Sequence, residues 1–362
     1  MDDDRDGGDG LALEAFRPRQ RLRVPAHDVP YPRFPVIDAH NHLGVPFGGD
    51  WAVRTASELE RVLDVSGVAA IVDLDGGWGE ALRAEIGRWQ VPLPGRVAVF
   101  AGLDYEAWAR DERFGEMEAT RLREGVAAGA RGLKVWKHLG LQARDPRGRL
   151  VAVDDPRLDP LWAAAGELAV PGMIHVADPI AFFEPLGAAN ERWEELRAHP
   201  DWHFWPTRPR DRPGEAGFPP FDELIDGLEA VVVRHPGTTF IGAHVGCAAE
   251  DLARVGTILE RAPNFNVDLA ARIAELGRQP YTARSFILRW ADRVLFGTDA
   301  PPDAASWAVH YRFLETADES FPYDADPDEA PSQGRWRVHG LDLPDAVLRA
   351  VYHDNAARLI RF

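Results

Sequence analysis

The sequence predicts an α/β fold, a (β/α)8 TIM barrel with long loops after strands five and eight. Three observations carry this expectation. Eight short apolar runs recur along the chain. Amphipathic stretches with apolar residues at helical spacing lie between them. The length, 362 residues, suits one such barrel with extended loops. Strand followed by helix, repeated eight times, favours a closed parallel sheet. Hydrophobic residues make up 45% of the chain, enough to fill that core. No internal repeat is visible.

The elements follow in order. Residues 1 to about 18 read as an acidic disordered tail. Residues 19–35 hold Pro25, Pro30, Pro32 and Pro35 and read as an extended arm. The domain division is therefore 1–35 for tail and arm and 36–362 for the barrel. The expected strands are 36–40, 68–74, 96–103, 131–136, 171–176, 238–245, 264–270 and 293–299. Helices are expected over 57–67, 117–129, 159–170 and 249–263. Two connections exceed the usual few residues, 178–222 and 300–343. The first carries Phe182, Phe183, Trp193, Trp202, Phe204, Trp205, Phe218 and Phe221; the second carries Trp307, Tyr311, Phe321, Tyr323 and Trp336. Both leave the C-terminal ends of strands, where barrel enzymes keep their sites, so each reads as a lid or substrate wall, or as a locally packed loop or subunit interface.

Composition excludes several functions. The charge sum, 41 − 58 = −17, argues against nucleic acid and anionic membranes as partners. Cys247 is the only cysteine, so neither an intrachain disulfide nor a cysteine-rich zinc module is available. The acidic N-terminus and the lack of a long apolar run point away from a secretory signal or membrane anchor; a soluble, cytoplasmic protein is expected. The expected partner is a small-molecule substrate, and the arm and long loops offer surface for a homodimer. Only two of the 41 basic residues are lysines, Lys134 and Lys137, both in GLKVWKHLG. Lysine, unlike arginine, can lose its proton or be carboxylated, so the pair reads as chemical rather than decorative.

The chemistry-bearing residues sit at strand ends. Asp38, His40 and His42 in D-A-H-N-H share one face by strand alternation, and two imidazoles two residues apart can grip one metal ion. His175 closes strand five, His244 strand six and Asp299 strand eight. Unpaired buried imidazoles and carboxylates are costly, and a divalent cation removes that cost. Arg272, after strand seven, reads as a partner for a substrate carboxylate or as a salt bridge at the rim. Lys137 reads as a substrate contact or a solvated loop cation. Asp73 and Asp75 are candidate hydrogen-bonding partners. His138 reads as structural, and so does His203, which lies on the first aromatic loop.

The motifs D-x-H-x-H at 38–42, Lys134, His175, G-A-H-V-G at 242–246, F-G-T-D at 296–299 and the terminal Asn355-Ala-Ala-Arg-Leu together resemble the amidohydrolase superfamily, amidohydrolase-2 type, over roughly 36–362. That group contains metal-dependent hydrolases and zinc-dependent decarboxylases. The resemblance implies that His40, His42, His175 and Asp299 bind one divalent ion, most simply Zn2+. It implies catalytic roles for Asp299, which takes a proton from water, and His244, which assists. Lys134 is then either carboxylated and bridging a second metal, or a cation pairing with an acidic substrate group. The implied activity is hydrolysis of an amide, lactone or ester by metal-activated water. The alternative is nonoxidative decarboxylation of a small carboxylic acid. A barrel that keeps these residues only for binding or stability is the third reading.

Overall fold

A computed structural model of the chain describes residue 12 and residues 21–45, 47–205, 217–323 and 333–362. Most of the expected acidic tail lies outside the described residues. The strands are β1 Val36–Asn41, β2 Val68–Asp73, β3 Val97–Ala101, β4 Gly132–Val135, β5 Gly172–Ile174, β6 Phe240–Gly242, β7 Phe265–Asp268 and β8 Val294–Leu295. They form one eight-stranded sheet in sequential order, every pair parallel. The ends meet: Ala39 N–H donates to Phe296 O (3.0 Å), Asp299 N–H donates to His40 O (2.9 Å), and Asn41 bridges to Ala300. The result is a nearly closed (β/α)8 TIM barrel. Each expected strand is present; β1 runs one residue further than expected and the other seven are shorter, largely because residues at their C-terminal ends leave the ladder to build the mouth.

The core has two layers, as the alternation of strand side chains requires. Ile37, Ala39, Val72, Ala98, Phe100, Met173, Ile241 and Leu295 form the barrel interior, joined by Ala356 and Ile360 from the C-terminal segment. A larger cluster, including Val36, Ile71, Val99, Leu133, Phe240 and Val267, fills the space between strands and helices. The expected helices appear as Ala56–Ser66, Phe114–Ala128, Asp159–Glu167 and Leu252–Arg261. The first has a complete capping box: Thr55 Oγ1 accepts from Glu58 N–H, and the Glu58 carboxylate accepts from Thr55 N–H. At the chain's end, Asn355 Nδ2 donates to Ala291 O (2.7 Å) and Val294 O (2.8 Å), pinning the helix Asn355–Leu359 under β8.

One expectation needs correction, and one open choice is narrowed. The connection 300–343 is not a loop throughout: Ala304–Glu315 is a helix, capped by Asp303, whose carboxylate accepts from Ser306 N–H. Its Trp307 and Tyr311 are buried, donating to Asp38 Oδ2 (2.9 Å) and Ser66 O (3.0 Å), so they pack the scaffold instead of walling a substrate. In the connection after β5, the aromatic rings pack on one another. Phe183 meets Phe204 at 5.4 Å and Phe221 at 5.6 Å, while Phe204 meets Phe218 at 5.1 Å. The arm is tied to the C-terminal third: His27 bonds Asp318 through both its N–H and Nδ1, and Arg33 N–H donates to Glu315 Oε1 (2.8 Å).

Candidate active site

β1 delivers two imidazoles to the barrel mouth, each locked by a carboxylate. His40 Nδ1–H donates to Asp268 Oδ2 (2.8 Å), and His42 Nδ1–H donates to Asp75 Oδ1 (2.8 Å). A carboxylate only accepts, so both bonds place the proton on Nδ1 and turn Nε2 inward. The two Nε2 atoms converge on one oxygen: Asp299 Oδ1 lies 3.2 Å from His40 Nε2 and 3.0 Å from His42 Nε2. Burial would lower the pKa of His42, but hydrogen bonds and charge from Asp299 and Asp75 push it up to about 9. Asp299 is held well below the usual carboxylate range: burial works against this and is outweighed by the neighbouring His40 and His244 and by hydrogen bonds from His40 and His42.

The expectation that Asp38 shares the face of His40 and His42 does not hold. The β1–β2 register shifts between Asp38 and Asn41. Asp38 turns instead toward β8, where Oδ2 accepts from Thr298 Oγ1 (2.6 Å), Trp307 Nε1 (2.9 Å) and Asn41 Nδ2 (3.0 Å). The shift frees His40 to enter the barrel, against Gly297. A Cβ on Gly297 would meet the His40 Cβ at 3.0 Å, so the glycine of F-G-T-D makes room for the imidazole.

His244 reaches the site on a strained turn. β6 ends at Gly242, and His244, Val245, Gly246 and Cys247 all have φ between 58° and 63°. Left-handed backbone costs roughly 1–2 kcal/mol per non-glycine residue. The turn is held by Asp268, whose Oδ1 accepts from His244 N–H (2.8 Å) and Ala270 N–H (3.1 Å). His244 Nδ1–H donates to Ala270 O (2.9 Å), so its Nε2, 3.8 Å from Asp299 Oδ2, carries the lone pair. Burial, with like charge from His175 and Arg272, keeps His244 neutral. Asp299 itself has φ 59°. Asp268 was not singled out in the sequence, although it closes the apolar run of β7 just as the other site residues close theirs.

The remaining candidates are placed as follows. His175 is buried, its ring edge-on to His244 at 4.4 Å, and its Nε2 has no hydrogen-bond partner, lying 3.4 Å from Asp178 Oδ1 outside bonding geometry. Burial lowers its pKa to about 4. It is not among the tight groups able to hold a cation, which are His40, His42 and Asp299, and His40, His244 and Asp268. Lys134 is fully buried, with Nζ 3.3 Å from His40 Nε2, 3.7 Å from Met173 Sδ and 4.9 Å from the Trp136 ring centre. Burial lowers its pKa. Lys137 is not a free loop cation: it pairs with Asp178 (2.5 Å) and faces the rings of Trp202 and Phe204. Arg272 is buried; Nη1 donates to Ala271 O, and Nε has no partner, so the expected rim salt bridge does not form among the described residues. His203 bonds Glu184 O, a structural role.

A cavity of about 770 Å³ opens beside Asp75 on the β2–β4 side. Phe47, Leu74, Trp78, Leu103, Tyr105, Trp136 and His138 line it. Trp136 packs on the His42 ring at 5.3 Å and stacks on Phe47 at 4.9 Å, so cavity and site share a wall.

The donor set fits a divalent cation. Two imidazole nitrogens turned inward by the carboxylates behind them and one carboxylate oxygen between them are the ligand types such an ion takes. Solved structures with the same fold include 2,6-dihydroxybenzoate decarboxylase in complex with 2,6-dihydroxybenzoate (17% identity, TM-score 0.54, 90% of this chain and 99% of that one). Others are a TIM-barrel protein of Bordetella bronchiseptica (13%, 0.53, 90% and 98%) and 5-carboxyvanillate decarboxylase of Sphingomonas paucimobilis (15%, 0.50, 91% and 99%). No curated protein sequence matches the chain. The family model for amidohydrolases, Amidohydro_2, matches residues 37–362, nearly the whole barrel, and the chain belongs to that family.

Proposed function

We propose that this protein is a divalent-metal-dependent hydrolase acting on an amide, lactone or ester of a small molecule. The observation that carries this reading is the convergence of His40 Nε2 and His42 Nε2 on Asp299 Oδ1, with both imidazoles locked from behind by Asp268 and Asp75. His40, His42 and Asp299 would hold the ion, zinc being the natural choice, with His175 as the further nitrogen. When bound, the ion supplies Lewis acidity toward the carbonyl and acidifies water. The side chains then do the rest. Asp299, about a quarter exposed at the mouth, is placed to take the proton of the attacking water on its outer oxygen. His244, neutral and with its lone pair facing Asp299, receives that proton and passes it to the leaving group. The fixed Nδ1–H bond to Ala270 O means His244 must accept before it can donate.

A second reading, decarboxylation, is favoured by one observation. Lys134 is a buried amine beside His40 with no carboxylate partner among the described residues, so it can anchor an acidic substrate group. Product analysis separates the two. Metal-loaded protein is screened against esters, lactones and amides by acid release, and against aromatic acids by carbon dioxide release. Acid release that disappears in Asp299→Ala supports hydrolysis. Carbon dioxide release alone, lost in Lys134→Met, overturns it in favour of the lyase.

A further inference from the structure

Asp38 opens D-x-H-x-H, yet it is not among the residues that would hold the ion, and the proton chemistry above leaves it without a task. We propose that Asp38 is the positioning residue of Asp299: acting through Thr298, it sets the direction from which the Asp299 carboxylate meets His40 and His42. This rests on the reading of those three residues as a metal site.

Four observations carry the assignment. The Asp38 carboxylate is fully buried and accepts from five donors, all of them neutral. Oδ1 takes His40 N–H (3.2 Å) and Thr298 N–H (3.1 Å); Oδ2 takes Thr298 Oγ1 (2.6 Å), Trp307 Nε1 (2.9 Å) and Asn41 Nδ2 (3.0 Å). One oxygen, Oδ1, therefore joins the amide of His40 to the amide just before that of Asp299. Next, Thr298 is held at three points: its N–H and hydroxyl by the two Asp38 oxygens, and its carbonyl by Ala271 N–H (3.2 Å). Asp299 follows directly with φ 59°, a conformation that a non-glycine residue keeps only when its surroundings impose it. Finally, the Asp299 side chain is 27% exposed, against 1% for His40 and 4% for His42. Packing cannot fix the direction of a carboxylate that faces the open mouth, so its backbone must.

The choice of an aspartate follows from the donor count. A carboxylate offers about four acceptor sites and no donor, so five converging donors saturate it. Asparagine has the same shape but a single acceptor oxygen, and its amide nitrogen would be set against donors that it cannot accept. Trp307 extends the clamp to the helix Ala304–Glu315, so the segment after β8 is fastened to the same carboxylate as the turn that carries Asp299.

The test uses the full chain with cobalt(II) as the probe ion. Its affinity is read by chelator competition, and its visible absorption reports the geometry of its ligands. Neither readout needs a substrate. Asp38→Asn keeps the shape of the clamp and removes its charge. Thr298→Val exchanges the hydroxyl for a methyl, and Thr298→Ser restores the hydroxyl. Leu122→Ala, buried in the helix Phe114–Ala128 against β3 and the helix Asp159–Glu167, is the control for lost stability alone. Circular dichroism and chemical denaturation give the fold and stability of each variant. The expected result is that cobalt binds about tenfold or more weakly in Asp38→Asn and Thr298→Val, with an altered visible spectrum. Thr298→Ser regains affinity and spectrum, and Leu122→Ala keeps both while losing stability. If Asp38→Asn does not fold, the Thr298 pair decides. Natural affinity and spectrum in the folded Asp38→Asn and Thr298→Val variants, or an equal loss in Leu122→Ala, would overturn the proposal and leave the metal site standing. No cobalt uptake by the natural chain would remove the metal site itself, and the proposal with it.

Discussion

His42 shows most directly how the site trades a proton for an ion. Without an ion, its two nitrogens face Asp75 and Asp299, and its pKa rises from 6.5 to about 9. The stabilisation of that imidazolium is fully present below pH 6.5 and is lost as pH rises through about 9. A divalent ion needs the neutral ring, so its affinity runs the other way. We expect the melting temperature of the ion-free protein to fall between those two pH values, and the gain on adding zinc to grow over the same interval. A gain independent of pH would mean that the ion binds elsewhere. Asp268 offers a second check. Asp268→Asn keeps the shape and an acceptor for the His244 turn but removes the charge behind His40, and should weaken metal affinity roughly 10–100-fold, measured by chelator competition. Most of these groups were legible in the sequence because an ionisable residue closing an apolar run has no business in a packed core. Asp268 obeys the same rule at the end of N-F-N-V-D and was overlooked because no histidine accompanies it. Asp38 misled in the opposite direction: alternation is a property of a regular strand, and the register shift after it breaks the pattern.

At the scale of elements, strands and major helices were legible because their periodicities reflect burial on one face. The ends of β6, β7 and β8 were not. Nothing in the propensities of His244 or Val245 favours a left-handed turn, and a β-branched residue argues against one. Tertiary bonds from Asp268 impose it. Nor did aromatic content distinguish a substrate wall from self-packing, since both bury rings. The rings after β5 found each other, while those facing the cavity came from the four connections after β1, β2, β3 and β4. The connection after β5 is fixed to the barrel by Arg192, buried between Glu195 and Glu275, with Nη1 also on Gln333 O. Burial raises Glu195 to about 7 despite this partner. Arg192→Met leaves two carboxylates buried without their cation and should cost about 3–5 kcal/mol in chemical denaturation. A loss below about 1 kcal/mol would show that solvent reaches this triad and that the loop is not anchored there.

For the whole molecule, a sequential parallel sheet gathers groups that are far apart in the chain, from His40 to Asp299, around one mouth. That gathering was readable because the barrel fixes where strand ends go. The cavity beside Asp75 was not, because its lining from Phe47 to Arg144 is assembled by loop packing that leaves no period in the sequence. Among the described residues no helix is long and apolar enough to cross a membrane. The most direct test of the metal reading is elemental analysis after chelation and zinc reconstitution, comparing the natural chain with His40→Ala and Asp299→Ala and checking each fold by circular dichroism. About one ion per chain in the natural protein, lost in both folded variants, is the expected result. No ion in the natural protein, or the same content in the variants, would contradict the assignment of His40, His42 and Asp299 as its binding site.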